Sequence, residues 1–234
     1  MAEDLDPVAR YAMSLGFRVR RRTVIVEGTT DVELFELAAR LEKKAAGIEL
    51  LGDDLAIIAA GAGDLGGTRG VIRELVCLRG LARTLLLPNG RPIYRFIALF
   101  DDDKAGKQAV RAARDFDTSI LECKDLFRLC PVMPLTGNLD PGAMQKAFER
   151  ENLPYKGMEW EAEDLLTHEF YEAFLLEHPG ALVKKASLGG KIHRDLTPDG
   201  KARLHRFVKQ NAIRKDIDGV TEVLKALRLY LGLK

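Results

Sequence analysis

Long apolar runs are missing from this chain of 234 residues. No stretch approaches the roughly 18 consecutive apolar side chains of a membrane-spanning helix, so none is expected. Cysteine is scarce: Cys77, Cys123 and Cys130 are an odd set with no C-x-x-C pair. That argues against a disulfide framework or a zinc knuckle and for buried thiols in a reducing compartment. The histidines (His168, His178, His193, His205) never frame a glutamate as H-E-x-x-H, and no G-x-S-x-G elbow occurs. The zinc-protease pattern and the hydrolase nucleophile elbow are thus absent. The opening MAEDLDPVAR is acidic and lacks the apolar core of a secretory signal, so a cytoplasmic protein is expected.

An excess of one charge is also lacking, with 36 Lys and Arg against 35 Asp and Glu. The balance hides a segregation. Residues 151–180 carry eight acids against the single Lys156, and residues 184–215 carry ten Lys and Arg against Asp195 and Asp199. An acidic metal-binding region beside a basic surface for a polyanion would give this pattern, and so would two solvated helix faces of opposite sign.

What is present is an alternation. TVIVEG is a β-branched strand, TTDVELFELAARLEKKA an amphipathic helix, and LAIIAA a second strand leading into a glycine-rich turn. TRGVIRELVCLRGLART is a helix, RFIALF a strand, AGKQAVRAARDF a helix and LFRLCPVMP a strand. Such β-α repetition predicts an α/β fold with a parallel, helix-covered sheet, whose ligand chemistry lies beyond the carboxyl ends of the strands. Asp6-Pro7 predicts a short helix before it. After Pro134 the pattern predicts helices over about 141–151, 161–178, 198–213 and 219–232, with no strand among them. Three regions follow: residues 1–21 as a helix and basic lead-in (RVRRR, with Arg20 a candidate phosphate contact), 22–134 as the α/β core, and 135–234 as a helical extension.

The acids stand at strand ends. Glu27 closes the first strand and Asp31 follows on the opening turn of the helix, while Asp101, Asp102 and Asp103 close RFIALF. Adjacent carboxylates repel and offer nothing to a packed core, so a divalent cation is the natural compensation. Mg²⁺ takes oxygen ligands and retains open positions for phosphate. Lys104 can meet a phosphate, and Gly106 lets backbone approach closely.

VIVEGTTDVELF together with ALFDDDKAGKQA resembles the Toprim fold of topoisomerases, primases and several nucleases. In that family a glutamate follows the first strand and Asp-x-Asp a later one, which Glu27, Asp101 and Asp103 match; Asp102 is expected to point away or to serve the outer shell. The likeness covers about residues 22–134. A topoisomerase would need a tyrosine nucleophile in a recognisable context, and a primase a zinc module and a large basic domain, neither of which is found. The small ribosomal-RNA maturase of this fold has a comparable length and stays open.

MEWEAEDLL (158–166) resembles the additional acidic motif of the overcoming-lysogenization-defect family of Toprim nucleases. The resemblance implies a two-metal centre for Mg²⁺ or Mn²⁺ acting on phosphodiesters of DNA or RNA, with Asp31, Glu161 and Glu163 adding ligands to Glu27, Asp101 and Asp103, and Glu163 preferred to Glu161. Acids that merely complement a helix N-terminus would look alike. The family also uses a late lysine. Lys191, Lys201 and Lys209 are candidates, with Lys209 in FVKQNA the nearest in setting. Lys104, Arg20, Lys191, Arg194, Lys201 and Arg206 are candidate nucleic-acid contacts. Those nucleases usually carry an ATPase, yet no G-x-x-x-x-G-K-[ST] loop occurs here. A separately encoded ATPase or phage-defence partner is therefore expected, and an oligomer is open. A primase-like nucleotidyl transferase and a non-catalytic nucleic-acid-binding subunit remain the alternatives.

GAGDLG (61–66) has dinucleotide-binding spacing, but the next strand region, LLLPNG, brings no ribose-binding acid. A tight turn is the expectation there. His193 and His205 are expected to be solvated or phosphate-contacting, Ser187 to sit in a flexible loop, and Trp160 to be a packing anchor or a base-stacking platform.

Overall fold

The computed structural model describes residues 5–61, 66–135, 137 and 139–233. Four strands, β1 (Arg22–Val26), β2 (Leu55–Ala59), β3 (Arg95–Asp101) and β4 (Leu126–Leu129), form one sheet in the order β2-β1-β3-β4. All three pairings are parallel. The strands are apolar at nearly every position because both faces are covered. Val24, Val26, Ile97, Leu99, Phe127 and Leu129 face one core, while Ile25, Ile58, Phe96, Ala98, Phe100 and Leu126 face the other.

The helices divide between those faces. Helix α1 (Pro7–Ser14), capped by Asp6 as the sequence predicts, lies with α3 (Gly67–Ala82) and α4 (Lys104–Phe116) on the second core. Helix α2 (Thr29–Ala46) covers the first, together with the chain after Pro134. That region holds α5 (Pro141–Asn152), α6 (His168–Glu177), α7 (Pro198–Asn211) and α8 (Asp218–Tyr230), and α8 packs along α2. Tyr230 stacks on Phe127 at 4.6 Å between centroids, so the extension is built into the sheet's own core. Among the described residues no helix is long and apolar enough to cross a membrane.

Two expectations for the extension need correction. It is not all helical: β5 (Leu182–Leu188) and β6 (Lys191–Leu196) form an antiparallel hairpin. Its turn is Gly189-Gly190, both at positive φ (56° and 79°), the twist a two-residue hairpin loop requires. Ser187 is therefore a strand residue paired with Ile192. The segment 161–178 is also not one helix. A 3-10 turn over Ala162–Leu165 ends at Leu166 and Thr167, both extended, and α6 starts only at His168. Residues 62–65 of the GAGDLG stretch lie outside the described residues.

Candidate metal centre

Chain order along the sheet reverses between β1 and β3, since β1 is followed by β2 on one side and β3 lies on the other. That reversal opens a crevice at the carboxyl ends of two neighbouring strands. Glu27 leaves β1 and Asp101 ends β3, one on each side of it. The Asp101 backbone tempers the burial of the Glu27 carboxylate, and the two strand ends lie side by side in the sheet. Asp31, on the first turn of α2, accepts from the Gly28 amide at 3.0 Å, and Asp103 caps α4 by accepting from the Gly106 amide at 2.6 Å. Gly106 is needed there because an added Cβ would lie 2.0 Å from the Asp101 carbonyl oxygen.

The acidic 3-10 turn completes the cluster from the far end of the sequence. The Asp102 amide donates to the Trp160 carbonyl at 2.9 Å, docking residues 160–164 beside the β3 end. Asp101 consequently feels the charges of Asp31, Glu163, Glu27 and Glu161. Burial first, and then these neighbours, hold the Asp101 carboxyl well above its usual range. Burial and the nearby Asp31 and Asp103 push Glu27 up to about 7. Burial and Glu163 push Asp31 up to about 6. Glu161 is raised by burial against the pull of Lys201. Glu163 goes the other way: burial would raise it, but the His205 hydrogen bond and Lys201 bring it below its ordinary value.

Lys201 and His205, both on α7, are the cations paired to this cluster among the described residues. Lys201 Nζ lies 2.6 Å from Glu161 Oε2, and His205 Nε2 lies 3.3 Å from Glu163 Oε1. Burial would lower the Lys201 ammonium, but Glu163 and Glu161 raise it above its ordinary value.

The sequence-predicted residues divide accordingly. Glu27, Asp31, Asp101, Asp103, Glu161 and Glu163 are brought within electrostatic reach of one another. Glu159 is exposed. Asp102 turns from the crevice to Arg128, at 2.6 Å. The lysine brought to the carboxylates is Lys201 rather than Lys209, which pairs with Glu33 at 3.1 Å on the exposed side of α2. Eight positions along α7 separate the two lysines by about 12 Å. Arg194 is not a surface contact: it is 3% exposed, its guanidinium lies 4.3 Å from the Tyr171 ring and bonds His168 and Glu172. Lys191 lies over the buried Trp160 ring. Lys104, Arg20 and Arg206 are exposed, Arg20 beside Asp53.

Asp164, His193 and His205 are additions the sequence pattern did not supply in these roles. Asp164 accepts from the Glu161 amide (3.0 Å), His193 Nδ1 (2.6 Å) and the Arg194 amide (3.1 Å). It thus locks β6 to the acidic turn, and its hydrogen bond raises His193 above the usual imidazole value. Neither histidine is solvated: His193 is buried and His205 half-buried. Nothing in the spacing of Asp164 and His193 announces their pairing, because it depends on the unforeseen hairpin.

The donor set is all hard oxygen and strongly repelling, which suits Mg²⁺ or Mn²⁺ in chemistry and charge. Among the described residues, however, no three His, Cys, Asp or Glu side chains are grouped as they would have to be to hold a metal ion. Asp31 and Asp103 are turned to helix caps, while Glu161 and Glu163 are turned to α7. Comparison with family models, with curated proteins and with solved structures finds no match to this chain.

Proposed function

We propose that this chain is a divalent-metal-dependent phosphodiester hydrolase of the Toprim kind, acting on DNA or RNA. One observation carries the reading: Glu27, Asp31 and Asp101 meet at the sheet's switch point within electrostatic reach of Glu161 and Glu163, and among the described residues ion pairs with cations reach only the last two. A fold keeps such a cluster at a cost in stability unless a cation completes it. Glu27, Asp101 and Asp103 would hold one ion, and Asp31, Glu161 and Glu163 a second. Bound there, such ions supply Lewis-acid polarisation of the phosphoryl oxygens and a nucleophilic water.

The chain's own residues do the rest. Lys201 carries a firmly protonated ammonium next to Glu161, placed to offset charge that builds on a phosphate. Lys201 and His205, which neutralise Glu161 and Glu163 here, would be free to meet an anionic substrate if those two carboxylates held a cation. Asp164 and His193 hold the acidic turn in place while this happens. Lys104, directly after Asp103, is exposed and available to a flanking phosphate. Backbone gripping of this type weakens steeply with salt.

That no three of these side chains are grouped to hold a metal ion among the described residues favours one alternative, a non-catalytic nucleic-acid-binding subunit. Incubating the protein with supercoiled plasmid, linear DNA and total tRNA, in Mg²⁺, Mn²⁺ or EDTA, separates the two. The expected result is metal-dependent cleavage abolished in Glu27→Ala and Asp101→Ala. Binding without cleavage, unchanged by either substitution, would establish the alternative.

A further inference from the structure

The end of the sheet remote from the carboxylates carries charge of the other sign. Arg22 opens β1 and Arg95 opens β3, and the two are register partners in neighbouring strands, about 4.8 Å apart along the backbone. Like charges set side by side in a sheet repel. Arg95 starts the strand that Asp101 ends, so the two residues stand about 20 Å apart. A cavity of about 580 Å³ opens at the arginine end, within the roughly 300–1,000 Å³ of small-molecule sites. Arg22, Arg79, Arg83, Arg91, Arg95 and Lys124 line it, and Asp125 is the one acid among the described residues around it.

Some of these cations are accounted for locally. Arg79 holds Asp125 and Asp117 at 3.1 and 3.0 Å, and Arg83, at the end of α3, bonds Ser119. Arg22 donates to the carbonyls of Leu231, Arg21 and Ile93, which position it without cancelling its charge. Arg91, Arg95 and Lys124 differ: among the described residues no side-chain hydrogen bond or ion pair reaches them. Arg91 and Lys124 are exposed, as solvated cations are, but Arg95 is half-buried. Burial first, and then Arg22, lower the Arg95 guanidinium against the pull of Asp125. Asp125 is itself already bonded by Arg79 and the Leu121 amide. No Arg95 nitrogen is among the unpartnered polar atoms sealed from solvent, so the guanidinium opens to the cavity that it lines. A half-buried charge without a partner is costly, and an anion in the cavity would offset that cost.

We propose that this cavity binds a chain of linked phosphates, which half-buried Arg95 and exposed Arg91 and Lys124 grip together. One carboxylate or one phosphate does not match three separate cations, whereas linked phosphates do, and the guanidinium fork fits phosphate oxygens in pairs. A free polyphosphate and the backbone of a nucleic-acid strand offer that same chemistry. The site needs no metal and stands whether or not the carboxylates are catalytic.

Calorimetric titration in low-salt buffer stripped of metal, with no chelator present, tests this with tripolyphosphate, inorganic phosphate, citrate and a short single-stranded oligonucleotide. Tripolyphosphate should bind at one site per chain, about tenfold or more tighter than inorganic phosphate or citrate. Arg95→Met should weaken it about tenfold and Arg91→Met about threefold. Lys201→Met should leave it unchanged, which separates this site from the carboxylate cluster. Removing Arg95 relieves its repulsion with Arg22, so unliganded Arg95→Met should melt no lower than the parent. Arg91 is exposed, so Arg91→Met tests binding without touching the core. An oligonucleotide that displaces tripolyphosphate would assign the site to a strand, and one that does not would assign it to a free polyphosphate. No saturable binding of tripolyphosphate, equal binding of citrate, or binding indifferent to both Arg95→Met and Arg91→Met would overturn the proposal.

Discussion

Asp101 and Asp102 are neighbours in the chain and opposites in their surroundings. Asp102 shares Arg128 with Glu122, at 2.6 and 2.7 Å, and Lys107 adds a contact at 3.5 Å. The same solution recurs where Arg79 joins Asp117 and Asp125. Across one peptide bond Asp101 faces Glu27, Asp31, Glu161 and Glu163, and the nearby cations Lys201 and His205 are engaged by the last two. A chain able to seat an arginine beside Asp102 leaves Asp101 in mutual repulsion. Local rules are broken in this way at functional sites, with the loss of stability borne by the rest of the fold.

Asp101→Asn against Asp102→Asn is the sharpest way to break that contrast. Losing Asp101 should reduce metal-dependent cleavage on the order of 10²–10³-fold. It should also raise the melting temperature of the metal-free protein, because one repelling charge is gone. Losing the Asp102 charge should leave cleavage within about tenfold and cost about 1–3 kcal/mol, as Arg128 loses a charged partner. Cleavage assays and urea denaturation in EDTA read both quantities. If both variants were destabilised alike, the cluster would be an ordinary ion network.

The pH dependence of stability has an unusual sign for the same reason. Glu27 rises from 4.5 to about 7 on folding, and Asp31 from 3.8 to about 6. Between about pH 4 and 7 the folded protein therefore holds protons that the unfolded chain has released. Stability of the metal-free protein should fall as pH rises through that window, and Asp101, held well above its usual range, adds to the fall. The loss should be on the order of 2–4 kcal/mol for these coupled groups. Glu163, held low, opposes this weakly. Denaturation at pH 5 and 8 should show the fall in EDTA and little of it in Mg²⁺. A fall of equal size in Mg²⁺ would detach the cluster from metal binding.

The α/β core was legible because its signals are local. Continuous apolar strands, Asp6-Pro7, and acids placed where a strand stops can all be read within a few residues. The acidic turn at 161–164 was visible as composition, but its position beside β3 depends on a backbone bond from Asp102 to Trp160 across the fold. The hairpin was missed although Gly189-Gly190 is a strong turn signal. Its strand β5 carries Lys184 and Lys185 outward and is mostly exposed, so little apolar alternation marks it. With the hairpin unseen, Arg194 looked like a surface cation and the Asp164–His193 pair could not be anticipated.

The two lysines of α7 give the smallest effect and the finest division. Lys209 meets Glu33 at 3.1 Å with both side chains about half exposed, and such a pair contributes roughly 0–1 kcal/mol. Lys209→Ala should change stability by no more than that and cleavage by at most about twofold. Lys201 is less exposed and bonded to Glu161 at 2.6 Å, so Lys201→Met should reduce cleavage by about 10² while Mg²⁺ binding, freed of a competing cation, becomes tighter. Parallel kinetics and metal titrations of the two variants decide between them. Equal losses of activity would mean that α7 shifts on substrate binding and brings Lys209 to the crevice. The expected inequality would tie the function of α7 to its first turns, where Lys201 and His205 face the acids and the exposed Lys209 end plays no part.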